Sequence, residues 1–218
     1  MKNLLFSPSM MCADFAQLAA ETQKLDEAGA DMFHIDVMDG VFVPNFALGP
    51  GDIACIRAST SKPIDVHLMI EDSFRYCELF VSLGADIIYI HPEADKHPAR
   101  TLAAITSLGK TPGLAINPGT SLESVKELLN LCDFVLLMTV NPGFAGQKYI
   151  PFVTDKLQRL TEMKSSYGFK IVVDGAISDS KVRELGALGA DAFVLGTSAL
   201  FGKARPYKDI ISELRQPI

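Results

Sequence analysis

The chain has 218 residues, of which 48% are hydrophobic, enough for one sizeable buried core. Its net charge of −6, with acidic and basic residues interspersed, argues against a nucleic-acid or anionic-membrane surface, and no apolar run approaches the length of a membrane span. The four widely spaced cysteines include no C-x-x-C, and the apolar start is too short for a signal peptide, so a cytoplasmic protein with reduced thiols is expected.

Eight short apolar runs alternate with helix-like segments along the chain. The predicted strands cover residues 4–10, 32–38, 64–70, 87–90, 113–116, 134–140, 170–173 and 192–195. The predicted helices cover residues 14–29, 51–59, 73–82, 99–108, 121–131, 148–167, 178–188 and 207–214. Two long loops rich in glycine, proline and asparagine, 39–50 and 141–147, follow the second and sixth strands.

This alternation predicts an α/β fold, a single (β/α)8 TIM barrel that forms one domain over residues 1–218. A repeated Gly-Ala-Asp joint at 29–31, 84–86 and 189–191, with a weaker copy at 131–133, supports a repeated unit because each joint ends a helix and starts a strand. The competing architecture is an open doubly wound sheet. It would normally have a glycine-rich first βα turn, which residues 9–12 lack.

The second predicted strand carries the first chemical signal. Side chains alternate along a strand, so His34, Asp36 and Met38 share one face. An imidazole and a carboxylate are costly to bury unless a metal or a substrate satisfies them, and His-x-Asp is a workable bidentate metal hook. The alternative is an edge strand with a wet polar face.

Polar side chains collect at the C-terminal strand ends, where barrel enzymes place their chemistry. His34, Asp36, His67 and Asp174 can converge on one divalent ion, and this donor set suits Zn²⁺, Mn²⁺, Fe²⁺ or Co²⁺, with Mg²⁺ also considered. Taken alone, His67 would be read as a satisfied core histidine. His91 is interpreted as a support or substrate contact, with a capping or structural role as the alternative.

Three glycine turns follow strands six, seven and eight. Loops at this place, with helix N-termini behind them, commonly bind phosphate through backbone N–H groups, although a lone glycine turn means only tight geometry. The candidate phosphate-binding residues are Gly143, Phe144, Ala145, Gly146, Gly175, Ala176, Gly196, Thr197 and Ser198.

Three methionines, Met38, Met69 and Met138, are expected to point from strand ends into the same pocket. Core filling is the default role of methionine, but here a dry wall would protect a carbanionic intermediate. A metal flanked by Asp36 and Asp174 can remove the proton next to a carbonyl and give a metal-bound enediolate; if the carboxylates lie on opposite faces, return of the proton inverts the carbon. No dinucleotide motif, strand-ending lysine or Gly-x-Ser-x-Gly turn indicates another chemistry.

Five motifs, which span almost the whole chain, resemble the ribulose-phosphate 3-epimerases: residues 7–9, 34–45, 65–69, 138–147 and 173–175. The resemblance implies that Asp36 and Asp174 are the acid/base pair and that these two, with His34 and His67, hold one divalent metal ion per subunit. It also implies that Ser9 and His67 touch the substrate and that the glycine turns hold its phosphate. A homo-oligomer, dimer or hexamer, is expected by resemblance only.

Several positions depart from the family pattern. Ala176 and Ala145 replace usual glycines, and the last turn, 196–201, together with His91-Pro92-Glu93, looks more like the branch acting on D-allulose 6-phosphate and D-fructose 6-phosphate. The hexulose phosphate is therefore slightly favoured over D-ribulose 5-phosphate and D-xylulose 5-phosphate. A metal-dependent lyase or decarboxylase on a phosphate-binding barrel, and a non-catalytic sugar-phosphate binder, are the other hypotheses.

Overall fold

The apolar runs form a closed ring of parallel strands in the computed structural model, which describes residues 4–216. The strands pair in the order β1-β8-β7-β6-β5-β4-β3-β2, which confirms the (β/α)8 barrel. Their bounds are β1 Leu5–Pro8, β2 Phe33–Met38, β3 Ile64–Met69, β4 Ile87–Ile90, β5 Thr111–Ile116, β6 Phe134–Met138, β7 Lys170–Asp174 and β8 Ala192–Leu195.

The helices lie outside the barrel and follow the strands in sequence. Their bounds are α1 Leu18–Glu27, α2 Pro50–Ser59, α3 Cys77–Ser82, α4 Pro98–Ser107, α5 Leu122–Val125, α6 Val153–Tyr167, α7 Asp179–Ala187 and α8 Tyr207–Leu214. Within the described residues, no helix is both long and apolar enough to cross a membrane.

Several predicted elements are shorter than expected because single 3₁₀ turns replace part of them. The first strand stops at Pro8, and a 3₁₀ turn, Met10–Cys12, follows instead. The helices predicted from residues 14, 73 and 121 each include a 3₁₀ segment, at Phe15–Gln17, Ser73–Tyr76 and Lys126–Leu131. Hydrophobic periodicity does not distinguish these tighter turns from α-helix.

The barrel closes between β1 and β2, and this seam has fewer backbone hydrogen bonds than the other strand pairs. Ser9 and His34 form a single parallel bridge, and Asp31 N–H donates to Phe6 O over 3.0 Å. Every residue of β2 is buried, so this strand is not the edge strand with a wet face that was the alternative interpretation.

The two faces of each strand have different roles. Outward side chains such as Phe33 and Ile35 pack in the main core beneath the helices. Inward apolar side chains fill the lower barrel. The Tyr89 ring packs directly against Gly113, because a Cβ on Gly113 would lie only 2.3 Å from Tyr89 Cδ1. Asp36, His67 and Asp174 are inward side chains that lie nearer the C-terminal ends of their strands.

The Gly-Ala-Asp joints share a hydrogen-bonding pattern at the opposite end of the barrel. Their glycines adopt positive φ, from +94° to +116°, as helix C-caps require. The following aspartate accepts a backbone N–H from the preceding strand: Asp31 from Phe6 (2.8 Å), Asp86 from Ile64 (3.1 Å) and Asp191 from Ile171 (2.7 Å). At the weaker fourth joint, the equivalent strand residue is Pro112, which has no N–H.

Candidate active site

Four side chains from three strands meet at the C-terminal mouth of the barrel. His34 and Asp36 lie on β2, His67 on β3 and Asp174 on β7, and one ligand atom of each lies within 4.8 Å of the others. Asp36 Oδ1 is 3.3 Å from His34 Nε2 and 3.5 Å from His67 Nδ1. Asp174 Oδ2 lies 4.0 Å from the first nitrogen and 3.9 Å from the second.

The chemistry of this cluster fits a divalent ion. Both histidine rings are fully buried, yet His34 Nε2 and His67 Nδ1 have no hydrogen-bond partner. Burying such atoms unpaired is unfavourable, and both face the same pair of carboxylates. Two nitrogen and two carboxylate donors suit Zn²⁺, Mn²⁺, Fe²⁺ or Co²⁺. The cluster could therefore hold a metal ion.

A carboxylate behind His34 fixes its orientation. Asp65, buried on β3, forms a very short hydrogen bond with His34 Nδ1 and accepts another from Ser7 Oγ over 2.7 Å. Since Asp65 takes the proton-bearing nitrogen, His34 Nε2 is left to face the cluster.

His67, the other imidazole of the cluster, is supported by a chain of two hydrogen bonds. His67 Nε2 lies 2.8 Å from His91 Nε2, and His91 Nδ1 lies 3.3 Å from Glu93 Oε2. His91 is fully buried and contacts a proposed ligand, so it lies behind the cluster and not at a helix cap.

Backbone and side-chain bonds also hold the two carboxylates. Ser9 Oγ donates to Asp36 Oδ2 over 2.8 Å. Thr139, at the end of β6, donates its N–H to Asp174 O over 2.7 Å and its hydroxyl to Gly175 O. The turn that carries Asp174 is thus bonded to the neighbouring strand.

The two carboxylates have unequal electrostatic surroundings. Burial alone would raise the pKa of Asp36, but the adjacent His34 and His67 outweigh burial and hold that pKa well below its usual range. Burial raises the pKa of Asp174 to about 7; His34 opposes the rise, and the charges of Asp36 and Asp65 add to it. Pairs of groups with pKa values driven apart are typical of acid/base sites.

The imidazoles respond to the same surroundings. Burial would lower the pKa of His34, but the carboxylates of Asp65 and Asp36 raise it well above the ordinary value. Burial lowers the pKa of His67, and it lowers the pKa of His91 to about 4. His91 is therefore a neutral ring at neutral pH.

A pocket opens from this cluster to solvent, and Ser9, Asp36 and Asp174 lie on its wall. Met38, Met69 and Met138 also line it, each at most 6% exposed. The wall beside the carboxylates is therefore apolar and largely closed to water.

The three glycine turns also line this pocket. Gly143, Phe144, Ala145 and Gly146 come from the loop after β6, Gly175 and Ala176 from the turn after β7, and Gly196, Thr197 and Ser198 from the turn after β8. Ala176 has a φ of +52°, a conformation that favours glycine, so the turn keeps a glycine-like course with alanine.

Two loops meet over the mouth. Asn45 Nδ2, from the loop after β2, donates to Gly143 O over 2.8 Å. A Cβ on Gly143 would lie 3.0 Å from Val43 Cβ, so the close approach of the loops favours glycine there. Phe46 and Phe144 are exposed on these loops.

Sequence reasoning omitted Asp65 and Ser7, which lie directly behind the cluster. A signal for Asp65 was present, because it precedes His67 by two residues and so shares its strand face. The register decides its role: His34 pairs with Asp65 across β2 and β3, while Asp36 pairs with His67. Cys12, Val140, Asn141 and Ile177 also line the pocket and were not predicted as site residues.

Comparisons with known proteins find similar chains over nearly the whole length. The family described as ribulose-phosphate 3 epimerase matches residues 5–201. The chain is 44% identical to ribulose-phosphate 3-epimerase from Synechocystis sp., over 98% of this chain and 94% of that one. It is 42% identical to the Escherichia coli protein of the same name, over 100% and 97%.

A solved structure supports the architecture. 3-Hexulose-6-phosphate synthase aligns with a TM-score of 0.67 and 18% identity, and 98% of each chain is covered. At this identity the likeness concerns the barrel fold alone.

Proposed function

This chain belongs to the ribulose-phosphate 3-epimerase family, and from that membership we propose that it interconverts D-ribulose 5-phosphate and D-xylulose 5-phosphate. It is an isomerase that acts on carbohydrate phosphates. The observation that carries the proposal is the cluster of two carboxylates and two histidines beneath a pocket lined by three glycine turns.

The comparisons do not support the expected preference for the hexulose phosphate. The relatives described above, alike over nearly their whole length, carry the ribulose-phosphate name. The replacement of glycine by Ala176 was one reason for that preference, but its φ of +52° keeps a glycine-like course. The Ala176 methyl group is therefore no reason to expect a phosphate site displaced to fit a longer sugar. The pentulose phosphate is the better proposal.

Asp36 and Asp174 are the proposed acid/base pair at C3. One carboxylate takes the C3 proton, and the other, across the substrate, returns a proton to the opposite face, so that the carbon is inverted. Ser9 holds Asp36 through a 2.8 Å hydrogen bond, and Thr139 holds the turn of Asp174. Both carboxylates are therefore oriented before substrate arrives.

The residues proposed to hold a divalent ion are His34, Asp36, His67 and Asp174. The ion would supply Lewis-acid polarisation of the substrate carbonyl, which makes the adjacent proton more acidic. We propose Zn²⁺, Mn²⁺, Fe²⁺ or Co²⁺, since imidazole nitrogen suits these ions better than Mg²⁺.

The rest of the pocket binds and shields the substrate. The glycine turns offer backbone N–H groups to the phosphate dianion. Met38, Met69 and Met138 exclude water from the carbon that loses its proton, and thioethers cannot reprotonate it.

The test compares D-ribulose 5-phosphate and D-allulose 6-phosphate as substrates of the Co²⁺-loaded protein in D2O, followed by NMR. We expect deuterium at C3 only, no loss of carbon, and a much higher kcat/KM for the pentulose. A higher kcat/KM for the hexulose would overturn the substrate proposal. Absence of C3 exchange with both would overturn the epimerase proposal, and a shortened product would instead indicate a lyase.

A further inference from the structure

We propose that Glu93, acting through His91, is a positioning residue that keeps the proton of His67 on Nε2 and leaves the Nδ1 lone pair facing the metal cluster. This inference rests on the proposed function, because it concerns how the same cluster is prepared for an ion. His91 and Glu93 do not line the pocket, and neither belongs to the four-residue cluster.

The direction of each hydrogen bond follows from the donor inventory of a neutral imidazole, which has one N–H and one lone pair. If His67 Nδ1 is to bind an ion, Nε2 carries the proton and donates to His91 Nε2, 2.8 Å away. His91 then carries its own proton on Nδ1, which faces Glu93 Oε2 at 3.3 Å. A carboxylate only accepts, so it favours this direction through both rings.

His34 is oriented in the same way, but its supporting carboxylate contacts it directly. His34 donates from Nδ1 directly to the carboxylate of Asp65, and its Nε2 is free toward the cluster. Asp65 and Glu93 are thus equivalent supports, one direct and one through a second ring. Together they turn His34 Nε2 and His67 Nδ1 toward Asp36 and Asp174, into the space that an ion would occupy.

Glu93 is itself held so that it must accept. Its Oε1 receives the backbone N–H of Asn117 over 3.2 Å and a hydrogen bond from the Thr120 hydroxyl. The buried Lys156 ammonium fixes that loop by donating to Pro118 O (2.5 Å) and Thr120 O (2.6 Å). Because a backbone N–H can only donate, the Oε1 position is always occupied by an acceptor.

This constraint makes Glu93→Gln a sharp test. The Gln carbonyl must take the Oε1 position opposite the Asn117 N–H, so its NH2 faces His91 Nδ1. That arrangement favours a lone pair on His91 Nδ1 and a proton on His91 Nε2, which then donates to His67 Nε2. The His67 proton moves to Nδ1 and blocks the metal position, although the shape of the residue is nearly unchanged.

His91 variants test the intermediate ring. A glutamine can place its carbonyl near the His91 Nε2 position and its NH2 toward Glu93, so His91→Gln preserves the direction of both bonds. His91→Leu removes the acceptor for His67 and leaves a buried N–H unpaired. His97→Gln, on the exposed residue before α4, is the matched control outside the chain of bonds.

The experiment measures Co²⁺ affinity of metal-free protein by chelator competition, together with the His67 tautomer from long-range ¹H–¹⁵N NMR of histidine-labelled protein. We expect Glu93→Gln and His91→Leu to weaken Co²⁺ binding roughly 10- to 100-fold, the range typical of residues that orient metal ligands. His91→Gln and His97→Gln should bind like wild type. The His67 Nε2–H signal should persist in wild type and disappear in Glu93→Gln.

The outcomes separate this inference from the proposed function. If wild type binds Co²⁺ and exchanges C3 deuterium, but Glu93→Gln binds Co²⁺ equally well with an unchanged His67 tautomer, the inference is overturned and the proposed function stands. A wild type that neither binds Co²⁺ nor exchanges deuterium overturns both. Because Glu93→Gln is nearly isosteric, a folding failure of His91→Leu does not affect the test.

Discussion

Two aspartates of the same chemical type have different surroundings at the mouth of the barrel. Asp36 lies between two imidazoles that favour its ionised form, whereas burial and neighbouring negative charge raise the pKa of Asp174 to about 7. A reaction that takes a proton on one face and returns one on the other needs both groups.

Asp174→Asn should therefore preserve the fold and abolish turnover. The amide keeps the shape of the side chain but cannot exchange a proton, so we expect kcat to fall by about 10²- to 10⁴-fold, the usual contribution of general acid–base catalysis. The measurement is steady-state epimerisation, with circular dichroism to verify folding. Asp133→Asn, exposed at the opposite end of the barrel, is the control. Appreciable epimerisation by Asp174→Asn would contradict the two-base scheme.

The sequence predicts which residues share a strand face, but not how neighbouring strands align. His34, Asp36, His67 and Asp174 were grouped from their strand ends alone, and the structure brings them together. Asp65 lies on the same face as His67, yet only the β2–β3 register places it against His34. A shift of register would give Asp65 another partner, which is why residues behind the cluster are harder to predict than those facing it.

At the level of elements, the same hydrogen bond recurs at the joints between helices and strands. An aspartate after the glycine cap accepts the N–H of the preceding strand, as Asp86 does for Ile64. Asp133 occupies the same position, but Pro112 offers no N–H. The repeat in the sequence thus marks a hydrogen bond that three of the four copies make.

This difference predicts unequal costs for the same substitution. Asp86→Ala should lower the free energy of unfolding by about 1–2 kcal/mol, since the buried Ile64 loses its N–H acceptor. Asp133→Ala should change it by no more than about 0.5 kcal/mol, as for ordinary surface positions. Urea unfolding measures both.

Asp86 also pairs with Arg57 and Lys110, so Asp86→Asn is needed as a second variant. It keeps an acceptor for Ile64 and removes the charge. We expect a smaller loss of unfolding free energy than for Asp86→Ala, because ion pairs that are partly open to solvent contribute little. Equal losses would show that the ion pairs, and not the acceptor, support the joint.

The first and last helices are joined by a hydrogen bond to a charged group. Tyr207 OH, at the start of α8, donates to Glu21 Oε2 on α1 over 2.5 Å. Burial would raise the pKa of Glu21, but Tyr207 and Lys24 outweigh burial and lower it. A lowered folded-state pKa means that this stabilisation is present above the unfolded pKa and is lost as the pH falls through the folded one.

Tyr207→Phe should therefore destabilise the protein in a pH-dependent way. We expect a loss of about 1.5–3 kcal/mol near pH 7, typical of hydrogen bonds to charged groups, and a smaller loss at acidic pH, where Glu21 is protonated in the folded protein. Urea unfolding across this pH range measures it. Tyr149→Phe removes a bond to the uncharged Thr154 hydroxyl, so its cost should not vary with pH in the same way.

For the whole molecule, the alternation of elements was sufficient to predict the barrel, because a βα repeat of this length has few ways to bury both faces of its strands. The order of the strands confirms it. The 3₁₀ turns were not predicted because hydrophobic periodicity does not distinguish them from α-helix, and the early end of the first strand was not predicted either. The oligomeric state stays a prediction.

The cluster should make the stability of the molecule depend on metal. An ion that binds only the folded state adds about 2.7 kcal/mol to the free energy of unfolding at 100 times its Kd. We expect Co²⁺ to raise the unfolding midpoint of wild type, measured after chelation and again after Co²⁺ is restored. His67→Ala should lose most of this increase. An equal increase in His67→Ala would remove this residue from the ligand set.

The seam between β1 and β2 suggests that metal binding also affects the rate of unfolding. His34 comes from the first quarter of the chain and Asp174 from the last, so the cluster is complete only when the two ends of the sheet have met. Such distant contacts form late in folding, after local helices and neighbouring strands. An ion held there would lie close to the β1–β2 seam, which a single bridge and few hydrogen bonds maintain in the described part of the chain. Loss of the ion would leave the barrel folded but would increase its rate of unfolding. The lifetime of the native state would then depend on whether the active site holds an ion.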